Sequence, residues 1–170
     1  RKNALIALVL SFVFFLSACG SKDATLKPGL DLDSLGQQLM TQVEFKDPDL
    51  KPLDDKIWNR YVDQVDSSWL NNHLVIAGGG MVAEEICLFE AVDEAKAEEV
   101  EKAMKERYEY LKTSFGNYTP EELKNLEAPV LKRVGPYVFS VISAQNEKVI
   151  IYRRGLGRRR IPTVAGPSFQ

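Results

Sequence analysis

The sequence predicts an α+β domain: a small antiparallel sheet of about four strands, formed by two hairpins and packed with helices. Three observations predict it. Apolar residues recur at helical spacing from Leu32 to Val43 and from Ala97 to Phe115. Short β-branched runs bend around glycine within 74–92 and 130–142. Helices and hairpins come in clusters rather than in strict alternation, which argues for an antiparallel sheet. The expected order is α-α-β-β-α-α-β-β-α.

The first helix carries Leu32, Leu35, Leu39 and Val43 on one stripe, despite Gly36, and Asp31 or Asp33 can cap it. Two prolines in FKDPDLKPLDD break it. In DDKIWNRYVDQV, Ile57, Tyr61 and Val65 fall four apart and predict a second short helix. The stretch LNNHLVIAGGGMVAEEICLFEAVD reads as two antiparallel strands, 74–77 and 86–92, about a Gly78-Gly79-Gly80 turn. Ile86 and Leu88 point to one side and Cys87 and Phe89 to the other, so both faces of this sheet need cover. A long amphipathic helix starts near Asp93, with Ala97, Val100, Met104, Tyr108, Leu111 and Phe115 inward, and stops near Gly116-Asn117. TPEEL opens another: Thr119 caps, Pro120 suits the first position and Glu122 completes a capping box. VLKRVGPYVFSVIS reads as a hairpin at Gly135-Pro136 with a buried strand over 137–142, and AQNEKVIIYRR leans to helix.

Ahead of this domain, Arg1-Lys2 precedes a run from Ala4 to Ala18 broken only by Ser11 and Ser17. As a helix it reaches roughly 22 Å, short of the ~30 Å of a bilayer core, which is the layout of a secretory signal. Leu16-Ser17-Ala18-Cys19 resembles the bacterial lipobox. That resemblance implies cleavage between Ala18 and Cys19 and a diacylglyceryl group on the Cys19 thiol. The cell membrane is then a partner through the anchor, and the expected location is the outer face of the cytoplasmic membrane of a Gram-positive bacterium. Two acyl chains hold a protein on a membrane where one does not. Residues 1–19 form the signal, 20–29 a polar flexible linker, 30–152 the domain and 153–170 an Arg-rich tail, read as disordered or as a reading-frame artefact. The chain opens on Arg rather than Met, so it is expected to be part of a longer reading frame.

The formal charge of −2 hides an asymmetry. Between Gly20 and Tyr152, 15 Lys and Arg face all 24 acids, a net of −9, whereas the tail carries five Arg and no acid. An acidic body argues against nucleic-acid binding and favours a basic or neutral partner. With Cys19 consumed by lipid, Cys87 has no disulfide partner, and a single His with one free Cys excludes a Cys/His zinc cluster. No metal and no cofactor beyond the covalent lipid is expected.

Each remaining motif has a structural and a functional reading. Gly78-Gly79-Gly80 resembles a phosphate loop only loosely, since a strand follows it rather than a helix; it is expected to be a turn. A turn centred on Gly79 would place residue 73 opposite residue 85 and make His73 and Cys87 diagonal neighbours, the one available nucleophilic dyad. Cys87 lies between Ile86 and Leu88, however, and is expected in the core. Glu84, Glu85 and Glu90 are expected to be solvated. Tyr108, Tyr110, Phe115 and Tyr118 are the densest aromatic cluster; core packing is the structural reading, and Tyr108, Tyr110 and Tyr118 form the candidate interaction surface in the functional one, since Tyr is favoured at interfaces.

Three stretches, AEEICLFEAVDEAKAEEVEKAMKERYE, FGNYTPEEL and VGPYVFSVIS, resemble an uncharacterised family of Firmicutes lipoproteins known as a domain of unknown function (4358). The resemblance implies a lipid-anchored N-terminus and one small α+β domain, and it brings no activity, cofactor or site residue. The Arg-rich tail departs from the amphipathic Lys/Glu helix expected at the end of such chains. The function expected is a non-catalytic, lipid-anchored interaction module at the cell envelope. Its alternatives are a small-ligand-binding lipoprotein and an envelope hydrolase using Cys87 and His73. Replacing Cys19 by Ala should leave the protein soluble or as an uncleaved precursor in fractionated cells; unchanged membrane retention and processing would contradict the lipid anchor.

Overall fold

A computed structural model describes residues 29–149. The signal, Cys19, nearly all of the linker and the Arg-rich tail lie outside the described residues. Helix α1 spans Leu32–Gln42, and Leu32, Leu35 and Leu39 are buried along the expected stripe. Asp31 is its cap: the carboxylate accepts from the Ser34 N–H at 3.0 Å and the Ser34 hydroxyl at 2.8 Å. These hydrogen bonds hold the Asp31 pKa below the ordinary carboxylate value.

Five antiparallel strands form one sheet: β1 (Lys51–Pro52), β2 (Leu70–Ala77), β3 (Glu85–Ala91), β4 (Val130–Val134) and β5 (Tyr137–Ile142), in the order β1-β2-β3-β5-β4. The α+β class holds, with one strand more than expected. The extra strand, β1, sits in the segment read as a proline-broken loop. Pro52 is admissible there because β1 is an edge and needs no outward donor.

Helix α2 is a single turn, Trp58–Tyr61, rather than the helix expected over 54–65. Its buried stripe is also displaced: Trp58, Val62 and Val65 are inside, while Ile57 is exposed. A 3-10 turn, Ser67–Trp69, then feeds β2, with the Asp66 carboxylate accepting from the Ser68 N–H at 2.8 Å.

Helix α3, Glu94–Tyr118, is the long amphipathic helix, capped by Asp93 through the Lys96 N–H at 2.7 Å. All six residues expected inward are buried. The TPEEL segment forms a 3-10 helix, Pro120–Leu126, without the capping box. Glu122 is buried and accepts instead from the Ala83 N–H at 3.1 Å and the Asn125 amide at 2.7 Å. The segment from residue 144 shows a 3-10 turn, Asn146–Lys148, and its expected helical continuation lies outside the described residues.

The two-sided cover required by β3 is present. On one face Cys87, Phe89, Val75, Val138 and Ile142 pack under α3 and Trp58. On the other Ile86, Leu88, Leu74, Ile76 and Phe139 pack under α1. Fully burying each such side chain contributes about 1.5–3 kcal/mol. Tyr137 fastens the start of the domain: its hydroxyl accepts from the Gly29 and Leu30 N–H groups at 3.0 and 3.1 Å and donates to Glu90 at 3.0 Å. The β4–β5 turn takes its positive φ, 55°, from Gly135.

The β2–β3 connection differs from the tight glycine turn expected. The pairing closes at Ala77–Glu85, so residues 78–84 form a seven-residue loop and His73 faces Phe89 rather than residue 85. Three carboxylates pin this loop. Asp47 accepts from the Gly79 N–H at 3.0 Å, Glu122 holds Ala83, and Glu84 accepts from the Lys46 and Asp47 N–H groups at 2.7 and 3.0 Å. Glu84 and Glu85, expected in solvent, are 3% and 1% exposed; Glu90 is half-buried. A Cβ on Gly78 would overlap the Asp47 carboxylate. Gly78→Ala should therefore lower stability by about 1–3 kcal/mol, and Asp47→Ala should not add its full cost on top of it. Denaturant melts of both single variants and the double test this, and full additivity would contradict the close packing.

A candidate docking groove built on α3

The second half of α3 presents Arg107, Tyr110, Leu111, Ser114 and Tyr118 at helical spacings of three and four, so they share one side of the helix. Opposite them stand Arg60 and Tyr61 of α2 and Gly80 and Met81 of the pinned loop. Together they line an open groove of about 540 Å³. Gly80 adopts φ 79°, which lets the loop turn and leaves Met81 70% exposed at the lip. Tyr118 and Tyr110 form the opposite lip, 84% and 58% exposed.

The floor is a buried ion pair. Arg107 and Glu85 are each 1% exposed. The Arg107 Nη2 group donates to Glu85 Oε2 at 2.7 Å and Nε donates to Glu85 Oε1 at 2.9 Å, a two-pronged contact. Nη1 donates to the Tyr61 carbonyl at 2.7 Å and to Gln64 at 3.4 Å, and the guanidinium lies 4.6 Å from the Tyr61 ring centroid. Burial opposes the guanidinium charge, but the charge and hydrogen bonds of Glu85 outweigh it and raise the Arg107 pKa. Burial, then the Glu85 charge, raises the Tyr61 phenol as well.

The model of the family described as Domain of unknown function (DUF4358) matches residues 44–143. The chain belongs to this family. The match takes in the whole sheet, α2, α3 and every residue lining the groove, whereas α1 precedes it. No curated protein and no solved structure matches the chain.

The structure divides the sequence-predicted residues. Tyr110 and Tyr118 meet on the groove. Tyr108 does not join them: it sits two residues from Tyr110, on the other side of the helix, and is 6% exposed. Its hydroxyl shares a 2.6 Å hydrogen bond with Ser140, and burial raises its pKa. Tyr108 is therefore a core residue, and the candidate surface is corrected to Tyr110 and Tyr118. Ala18 and Cys19 lie outside the described residues.

His73 and Cys87 share a sheet face without touching through a hydrogen bond. His73 faces Phe89 and Cys87 faces Val75, two residues along the ladder, so the two are diagonal neighbours as expected. The His73 ring centroid lies 4.2 Å from that of Trp58, with Nε2 3.3 Å from Asp55. Cys87 is fully buried, 3.7 Å from Glu85 Oε1. Burial and then the Glu85 charge push its thiol pKa well up, the opposite of what a nucleophile needs. Among the described residues, no three His, Cys, Asp or Glu side chains are grouped so that they could hold a metal ion.

Sequence reasoning missed Arg60, Tyr61, Met81 and Arg107. Arg107 was discoverable, since it stands three and four residues from Met104, Leu111 and Tyr110. Met81 carried a weaker signal as an apolar residue at a glycine-rich loop. In native protein Cys87 should react with a thiol reagent no faster than the chain unfolds, and His73→Ala should not change that rate. Rapid stoichiometric labelling at neutral pH, suppressed by His73→Ala, would contradict this account of the pair.

Proposed function

We propose that the protein is a lipid-anchored, extracytoplasmic, non-catalytic interaction module that docks a partner protein of the cell envelope in the groove edged by Met81, Tyr110 and Tyr118. One observation carries the reading. The body has a net charge of −9, yet the groove lining contains no Asp, Glu or Lys. It is made of Tyr, Phe, Leu, Met and Arg with small polar residues. That is the composition of an interface core, which is enriched in aromatics, Met and Arg and depleted in Lys, Glu and Asp. Tyr and Arg are also the side chains that dominate binding energy, and a flexible Met lip adapts to a partner.

The lipobox-like Leu16-Ser17-Ala18-Cys19 supports the anchor and the location. A ten-residue linker spans at most about 35 Å when extended, so the groove would work close to the membrane surface. The burial of Cys87, the free thiol among the described residues, supports a non-catalytic role, because it is held away from solvent. Binding of a small ligand is the second reading. A volume of about 540 Å³ suits it, but two strongly exposed lips favour a macromolecule that covers them.

A photo-activated cross-linker placed at position 110 or 118 in native membranes tests the proposal. One recurring envelope protein should be captured, and Met81→Asp should lower its yield at least severalfold. A groove that captures no protein, but from which a small molecule co-purifies, would transfer the assignment to the second reading.

A further inference from the structure

We infer that the groove recognises a partner segment bearing one carboxylate beside an apolar side chain, with the carboxylate seated on Arg60; this rests on the docking reading above. The groove has two cations in its lining, Arg60 and Arg107. Arg107 is already committed to Glu85, the Tyr61 carbonyl and Gln64. The floor is therefore a neutral ion pair.

Arg60 is different. Its side chain is exposed, and its guanidinium has no ion-pair or hydrogen-bond partner among the described residues. Asp63, three residues on, leaves it unpaired, although the acids of the body outnumber its bases 24 to 15. The groove thus holds one net positive charge inside an otherwise acidic body. A guanidinium fork matches a carboxylate in two parallel hydrogen bonds.

The count of charges sets the chemistry. One carboxylate neutralises Arg60 and meets no acidic side chain in the lining. A run of acids would be repelled by the surrounding body, so the partner segment carries a single carboxylate within a neutral or basic protein. Met81, Leu111 and Phe115 offer the apolar contact beside it, and Ser114 and Thr119 add hydroxyl-bearing side chains to the lining. This assigns Arg60 the specificity of the groove and the Met and Tyr lips its affinity.

The test uses the full chain in mild detergent and three fluorescent peptides of Phe, Leu and Tyr, identical except for one central Glu, Gln or Lys. Fluorescence polarisation should rank them Glu, Gln, Lys, with Glu about two- to fivefold tighter than Gln, the range for one exposed ion pair. Arg60→Gln should keep the melting temperature and erase the preference for Glu over Gln. Tyr110→Ala should weaken all three alike. Equal binding of the three peptides, still sensitive to Tyr110→Ala, would overturn the carboxylate inference and leave the docking reading standing. Failure of all three to bind would overturn both. Full competition by octanoate at peptide concentrations would also overturn it, by assigning the site to a small amphiphilic anion.

Discussion

The buried ion pair between Glu85 and Arg107 is the contact on which the rest of this structure depends. Glu85 begins the central strand β3, Arg107 sits midway along α3, and Arg107 also grips the carbonyl that ends α2. One guanidinium thereby sets the spacing of α2, α3 and the start of β3, where the loop that edges the groove ends. Desolvating two charges costs several kcal/mol per ion, and only good geometry with further hydrogen bonds offsets it. Here the geometry is two-pronged and the remaining Arg107 donors reach a carbonyl and an amide. The same negative carboxylate, together with burial, keeps the Cys87 thiol protonated and inert. The pair therefore shapes the groove and silences the nearest reactive side chain.

A second constraint acts on the lip. Asp47, Glu84 and Glu122 are buried acids that accept backbone N–H groups rather than facing cations. Charge-assisted bonds of this kind are roughly twice as strong as neutral ones. Asp47 and Glu122 hold the loop near its two ends, at Gly79 and Ala83, so Met81 projects between fixed points. The acidity of the body thus has two parts: exposed charge that repels, and interior charge that holds a loop. The groove between them is the place where acids are missing.

Much of the fold was legible because its signals were local. Leu32, Leu35 and Leu39 on α1, the six inward residues of α3 and the all-buried run of β5 follow from periodicity alone. The apolar faces of Ile86 and Cys87 announced a sheet covered on both sides. Elements that tertiary contacts decide were not legible. β1 exists because β2 offers it an edge, α2 stops after one turn, and Glu122 leaves its capping box for the Ala83 amide. The groove was half legible. Tyr110 and Tyr118 were found by type, whereas Tyr108 was included by type although its helical spacing with Met104 and Leu111 already placed it inward. Met81 and Arg60 reach the groove only through the loop register and the position of α2, which no local pattern encodes.

A double-mutant cycle on the ion pair tests this account most directly. Denaturant unfolding would be measured for Glu85→Met, Arg107→Met and the double variant. Each single change leaves a charge buried without its partner and should cost about 3–5 kcal/mol, while the double should cost far less than their sum. Single variants that each lose under about 1 kcal/mol, with additive effects in the double, would show that this pair does not hold the three elements together.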